Sequence, residues 1–218
     1  MTIQAIRAGS LVETVRQQLR LAILSGELPV GEAVRDSVVA ARMEVSRAPV
    51  REALRALEQS GLVVKTPNKS YVVASFTPRD LVDLAGVRTA LEGLASRLAV
   101  SARASPDGME QALARLHEAV TADDAVAMVS TDRQFHEALV AASGNQRLVA
   151  SYAQIRDQIE LALHATDALT RGREGLVERH EELLAEYRAA LTNRDLSTLL
   201  KLLEEHIAGG LGVPPLDV

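Results

Sequence analysis

The sequence predicts a mostly α-helical chain in two parts: a short helical unit closed by a β-hairpin, then an all-α antiparallel bundle of six to seven helices. Three observations predict this. Apolar residues recur at helical spacing through almost every segment, and only one pair of short β-prone runs, Leu62–Thr66 and Tyr71–Val73, interrupts them. The charge also changes sign along the chain: the first 75 residues hold ten basic and seven acidic side chains, the rest fourteen and twenty-two. A basic head on an acidic body suggests that one end meets a polyanion.

Composition narrows the class. With 218 residues, 47% hydrophobic and 24% charged, the chain can bury a substantial core. It has no cysteine, which excludes disulfides and thiolate metal sites. No segment approaches a membrane span and the N-terminal residues lack the apolar run of a signal peptide, so the expected setting is cytoplasmic, away from membranes.

The elements follow in order. Residues 10–25 place Leu11, Val15, Leu19 and Ala22/Ile23 on one stripe, with Ser10 and Glu13 as a capping box. Gly26 ends that helix, and Pro29 and Gly31 keep the next stretch as a turn. Asp36 can cap a short helix through about Met43. A third helix spans 47–60 and stops at Gly61; the hairpin turns through Pro67–Ser70. In the second part Thr77-Pro78-Arg79-Asp80 opens one helix, Ser105-Pro106-Asp107 a second, Asp123 a third to Gly144, and Asn145 a fourth to about Leu169. Gly172–Gly175 break the chain before a fifth helix to about Thr192; Asp195 caps a sixth, ended by Gly209-Gly210. The expected divisions are 1–74 for the first domain, 75–79 for a linker, 80–209 for the second domain, and a frayed tail over 210–218.

The third helix contains a proline and three arginines spaced four apart. With Ser46 as N-cap, Pro49 is the third helical position, whose N–H has no intrahelical partner, so the proline starts the helix rather than breaking it. Val50, Leu54 and Leu57 form the buried side; Arg47, Arg51 and Arg55 form a separate stripe. An arginine-bearing N-terminus on the last helix of a tight helical unit is the layout of a recognition helix in the major groove. The planar arginine fork suits guanine edges and phosphates. The same stripe also reads as a solvated face supported by Glu44, Glu52 and Glu58. The hairpin adds donors at Lys65, Asn68 and Lys69, which favours DNA and completes a winged helix-turn-helix.

The segment GELPVGEAV…VSRAPVREALRALEQSGLVVKTPNKSYVV resembles the DNA-binding domain of GntR-family bacterial transcriptional regulators over roughly residues 10–74. The resemblance implies that Arg47 and Arg51 contact DNA and that Ser46 contacts a phosphate; Lys69, read as a DNA contact from its charge on the wing, joins them.

In the acidic body, three helices each aim one histidine along an apolar stripe: His136 on the third, His180 on the fifth, His206 on the sixth. Asp132 lies four residues before His136, so the two side chains meet. One such histidine is ordinarily a hydrogen-bonded core residue. Three imidazoles and a carboxylate in one bundle core are costly unless a shared partner satisfies them, and a divalent cation does so. The set suits Zn²⁺, with Ni²⁺, Mn²⁺ or Fe²⁺ also compatible. His117 and His164 sit beside their stripes and read as ordinary, partly exposed residues.

The stretches Asp132–His136, Ser143-Gly144-Asn145, Arg179-His180 and Glu204-Glu205-His206 are similar to the ligand-binding FCD domain of the FadR subfamily, over roughly residues 80–208. The resemblance implies the ligand set Asp132, His136, His180 and His206, with open metal positions for a small carboxylate effector. Arg88, in Val87–Glu92, is either a donor to that effector or the partner of Glu92. The implied function is a ligand-responsive regulator, a repressor by default. It binds a palindromic double-stranded operator as a homodimer and answers to a small organic acid or sugar acid. The competing reading is a metal-dependent hydrolase carrying a DNA-binding domain. Its general base would have to be Glu137 or Glu181, each adjacent in sequence to a ligand and so aimed elsewhere.

Overall fold

In the structure, a computed structural model, residues 9–67, 70–166 and 175–215 are described, with the backbone alone for 9 and 10. Lys69 and Asn68 of the wing, Leu169, Gly172 and the end of the tail from 216 lie outside the described residues. The chain divides into two units, residues 1–75 and 76–218.

In the first unit, α1 (Gly9–Leu24) and α2 (Asp36–Arg42) pack on α3 (Arg47–Gln59). Val15, Leu19 and Ile23 carry the contact from α1, while Leu11, expected on the same stripe, is 44% exposed. Gly9 is already helical, so Ser10 lies inside α1 and not at its cap. On α3 the side chains of Val50, Ala53, Leu54 and Leu57 are fully buried, as the i, i+4, i+7 spacing requires. Gly61, at φ +73°, closes α3: its N–H donates to Glu58 O and that of Leu62 to Leu57 O, both at 3.0 Å. That pairing needs a left-handed residue, which glycine adopts without strain.

The wing is a three-stranded antiparallel sheet in the order β1-β3-β2, from β1 (Ala33–Val34), β2 (Val63–Lys65) and β3 (Tyr71–Val73). The hairpin was legible; β1 was not, because two residues carry no periodicity. Asp36 does not cap α2. It is the first helical residue, Arg35 holds the cap position, and the Asp36 carboxylate is committed to Arg47.

The second unit contains six helices among the described residues: α4 (Pro78–Ser101), α5 (Asp107–Thr121), α6 (Ala125–Ala142), α7 (Gln146–Ala165), α8 (Leu176–Asn193) and α9 (Ser197–Leu211). Thr77 and Asp80 form a full capping box with Pro78 at N1, which starts α4 inside the stretch read as linker. The cap of α6 is Asp124, whose side chain accepts from Ala127 N; Asp123 is displaced from that role by its left-handed backbone, φ +58°. Asn145 caps α7 through Arg147 N and Leu148 N. Asp195 accepts from Ser197 N at 2.9 Å, one residue outside the cap of α9. The Gly209-Gly210 pair does not end α9. The helix runs on to Leu211, which is 1% exposed, and Gly212 closes it at φ +68°. Burial of Leu211 in the bundle core outweighs the poor helix propensity of the glycines.

The core is built from leucine, alanine and valine, with Met109, Leu116, Phe135, Ile159 and Tyr187 among its best-buried members. Into it the fold inserts Arg88, Glu92, Asp132, His136 and His180, none more than 3% exposed.

The capping box makes a prediction. Thr77→Ala removes the hydroxyl that accepts from Asp80 N and is expected to cost about 1 kcal/mol. For a chain this size that lowers the melting temperature by about 2–4 °C, read by circular dichroism. An unchanged melting temperature would show that the box contributes nothing to the second unit.

Candidate metal centre and nucleic-acid interface

Four side chains from three helices converge in the core of the second unit: Asp132 and His136 on α6, His180 on α8 and His206 on α9. One candidate ligand atom from each lies within 4.8 Å of all the others. The structure thus brings together all four residues singled out in the sequence. His136 Nε2 is 3.1 Å from His206 Nε2, and His180 Nε2 is 3.1 Å from Asp132 Oδ1. Phe135 stands edge-on to the rings of His136 and His180 and walls the cluster off on one side.

The other ring nitrogens fix how these imidazoles face. His136 Nδ1 lies 2.6 Å from Glu92 Oε2, and His180 Nδ1 lies 2.8 Å from Leu176 O. A carbonyl oxygen only accepts, so His180 Nδ1 donates, and in the neutral ring Nε2 carries the lone pair. The Glu92 carboxylate imposes the same tautomer on His136. The Nε2 atoms of both rings are thereby turned into the cluster, that of His136 toward His206 and that of His180 toward Asp132. Asp132 Oδ2 and His206 Nδ1 are also buried without a hydrogen-bond partner. Burial holds His206 well below the ordinary imidazole range, helped by His180 and His136; burial and Arg88 lower His136. Imidazole nitrogens converging on the Asp132 carboxylate, with burial favouring the neutral form of His136 and His206, form a donor set that fits a divalent cation. That fit rests on the orphaned atoms and on the chemistry of the donors.

Glu92 supports this cluster from α4. It is fully buried and accepts from Arg88 Nε at 2.7 Å and from the Tyr152 hydroxyl at 2.9 Å while holding His136. Burial would raise its pKa, but Arg88 and His136 override that and hold it at about 2. Of the two roles open for Arg88, the pairing with Glu92 is realised. Its Nη2 nevertheless remains buried without a hydrogen-bond partner. Sequence reading saw the i, i+4 pair but missed Glu92 as the buttress of His136, and missed Tyr152 altogether. These contacts span 44 and 60 residues and leave no local pattern.

The carboxylates a hydrolase would need are engaged elsewhere. Glu137 pairs with Arg133 and Arg156 on the bundle flank, and Glu181 lies 3.3 Å from His117 in an exposed pair. His164 keeps a buried Nε2 without a partner, and burial lowers its pKa.

In the first unit, Arg47, Arg51 and Arg55 line an open cleft of about 510 Å³ with Arg35, Asp36 and Lys65. Ser46 has the extended backbone of an N-cap, φ −70° and ψ 160°, but its side chain makes no capping hydrogen bond. Arg51 is exposed and has no ion-pair partner among the described residues, whereas Arg47 forms a forked pair with Asp36. The wing contribution expected of Lys69 falls outside the described residues.

Residues 11–73 match the family described as bacterial regulatory proteins, gntR family, and residues 83–209 match the FCD domain. The transcriptional regulator BphR of Paraburkholderia xenovorans (strain LB400) is 30% identical over 213 residues, 94% of this chain and 85% of that protein. A Paenarthrobacter nicotinovorans protein named as a D-xylose utilization operon transcriptional repressor is 29% identical over 66% of this chain. This chain spans 64% of that relative's length. A GntR transcriptional regulator from Rhodococcus sp. RHA1 shares the fold with a TM-score of 0.80 and 24% identity, over 94% of this chain and 99% of that one.

Glu92 is the testable point of the site. Glu92→Gln leaves the Arg88 guanidinium buried without its counter-charge and is expected to cost about 3–5 kcal/mol in urea unfolding at neutral pH. Because the folded pKa lies below the ordinary 4.5, the carboxylate's contribution is present above that pH and lost as pH falls toward 2. The gap between wild type and variant should therefore close in acid. A gap that does not change with pH would contradict the ionised, paired carboxylate.

Proposed function

The chain belongs to the GntR family of bacterial regulatory proteins, in the FadR arrangement that joins its DNA-binding unit to an FCD domain, and from that premise we propose a ligand-responsive transcriptional repressor. It binds a palindromic operator as a homodimer, each recognition helix α3 entering one of two successive major grooves. Arg47 reads base edges, Arg51 contacts phosphate, and Ser46 and Lys69 add backbone contacts. The second unit holds one divalent metal, zinc above all with nickel or manganese as alternatives, through Asp132, His136, His180 and His206. A small organic acid or sugar acid is the effector, and its carboxylate meets the metal and the free Nη2 of Arg88.

The observation that carries this reading is the inward-facing donor set, with the unpaired Arg88 Nη2 in the same core. A bound cation supplies Lewis acidity toward carboxylate oxygens. The protein supplies the rest. Glu92 and Leu176 O orient His136 and His180, the apolar bundle excludes water, and Arg88 adds a fixed cation for the effector's second oxygen. The effector must favour one state of the protein, for otherwise DNA affinity would not change.

Two substitutions separate the halves of this reading. Arg47→Ala is expected to weaken operator binding by about 1–3 kcal/mol and to relax sequence choice, measured by fluorescence anisotropy on matched duplexes. Unchanged affinity across sequences would remove Arg47 from the readout. His180→Ala is expected to lower metal content and abolish release of DNA by carboxylates while leaving DNA affinity nearly intact. Collapse of DNA binding in that variant would instead make the metal a folding element.

A further inference from the structure

The arginine stripe of α3 is not uniform. Arg47 Nη2 lies 2.9 Å from both carboxylate oxygens of Asp36, and its Nε lies 3.3 Å from Oδ2. This pair spans the turn between α2 and α3. The Asp36 side chain is 20% exposed and the Arg47 side chain 64%, so the carboxylate sits beneath and the guanidinium sits on the open cleft. Arg51, one turn along the same face, has no such partner among the described residues.

We infer that Asp36 is a specificity-determining residue: it holds the Arg47 fork for guanine and divides the stripe into one base reader and one phosphate contact. This rests on the operator-binding reading above. The carboxylate occupies the Nε–Nη2 edge of the fork. The other edge, Nη1 with the outer hydrogen of Nη2, keeps two parallel donors, which match the O6 and N7 acceptors of guanine. A guanidinium already held in place loses less side-chain freedom when it docks. The paired aspartate also cancels most of the Arg47 charge, so this arginine gains little from phosphate. Its energy goes into choosing a base and not into general attraction to DNA. Arg51, exposed and without an ion-pair partner among the described residues, supplies the salt-dependent part.

Asp36→Asn in the full chain tests this with a randomised duplex library and anisotropy at several salt concentrations. Wild type should enrich one G·C pair per half-site that Asp36→Asn no longer enriches, a loss of roughly 5- to 150-fold in preference at that position. Non-specific binding by Asp36→Asn should tighten, and its salt dependence should steepen by about one phosphate contact. In an Arg47→Ala background, Asp36→Asn should change base choice no further. Retained guanine preference in Asp36→Asn, or a uniform weakening on all sequences, would overturn the inference and leave Asp36 a staple between two helices. A wild-type protein that enriches no sequence would overturn the operator reading, and this inference with it.

Discussion

A carboxylate with no exposure to water has to be surrounded by donors, and Glu92 shows how the second unit meets that demand. It draws Arg88 from its own helix, His136 from α6 and Tyr152 from α7 into one buried knot. Two of these partners, His136 and Arg88, are committed on the Glu92 side and left with something to offer on the other. His136 turns its Nε2 toward His206, and Arg88 keeps a buried Nη2 without a partner. The cluster of potential ligands is thus the inner face of a structural element. An apolar substitute for Glu92 could fill the same space but would leave His136 free to rotate and Arg88 without a counter-charge.

The two units handle charge in opposite ways. In the bundle, ionised groups are buried and paired at short range, as in Arg88 with Glu92 and Asp132 with His180. On the first unit the arginines are exposed around an open cleft, where their field reaches a polyanion and is weakened by salt. Asp36 is the exception there, a mostly covered carboxylate that restrains one arginine. In both units a largely covered carboxylate holds an arginine: Glu92 holds Arg88, and Asp36 holds Arg47.

Most of the fold was legible because it is written in local patterns. Thr77 with Asp80, Asn145, and the Val50–Leu54–Leu57 stripe each act within one or two helical turns. The four candidate ligands were legible too, since a histidine on an apolar stripe stands out against leucine and alanine. What stayed hidden depends on distant partners or on competition. Strand β1 exists only because β3 pairs with it. Asp36 is taken from its capping role by Arg47. The glycine pair in α9 is carried through by the burial of Leu211. Glu92 and Tyr152 matter through contacts that only the folded bundle creates.

Whether this donor set holds a metal in a DNA-binding regulator is tested most directly by native mass spectrometry of the untreated purified protein. The expected result is a dimer carrying one divalent metal per chain, with zinc, nickel or manganese mass, and an added small carboxylate where one co-purifies. A protein that arrives metal-free and refuses added Zn²⁺, Ni²⁺ and Mn²⁺ would contradict it.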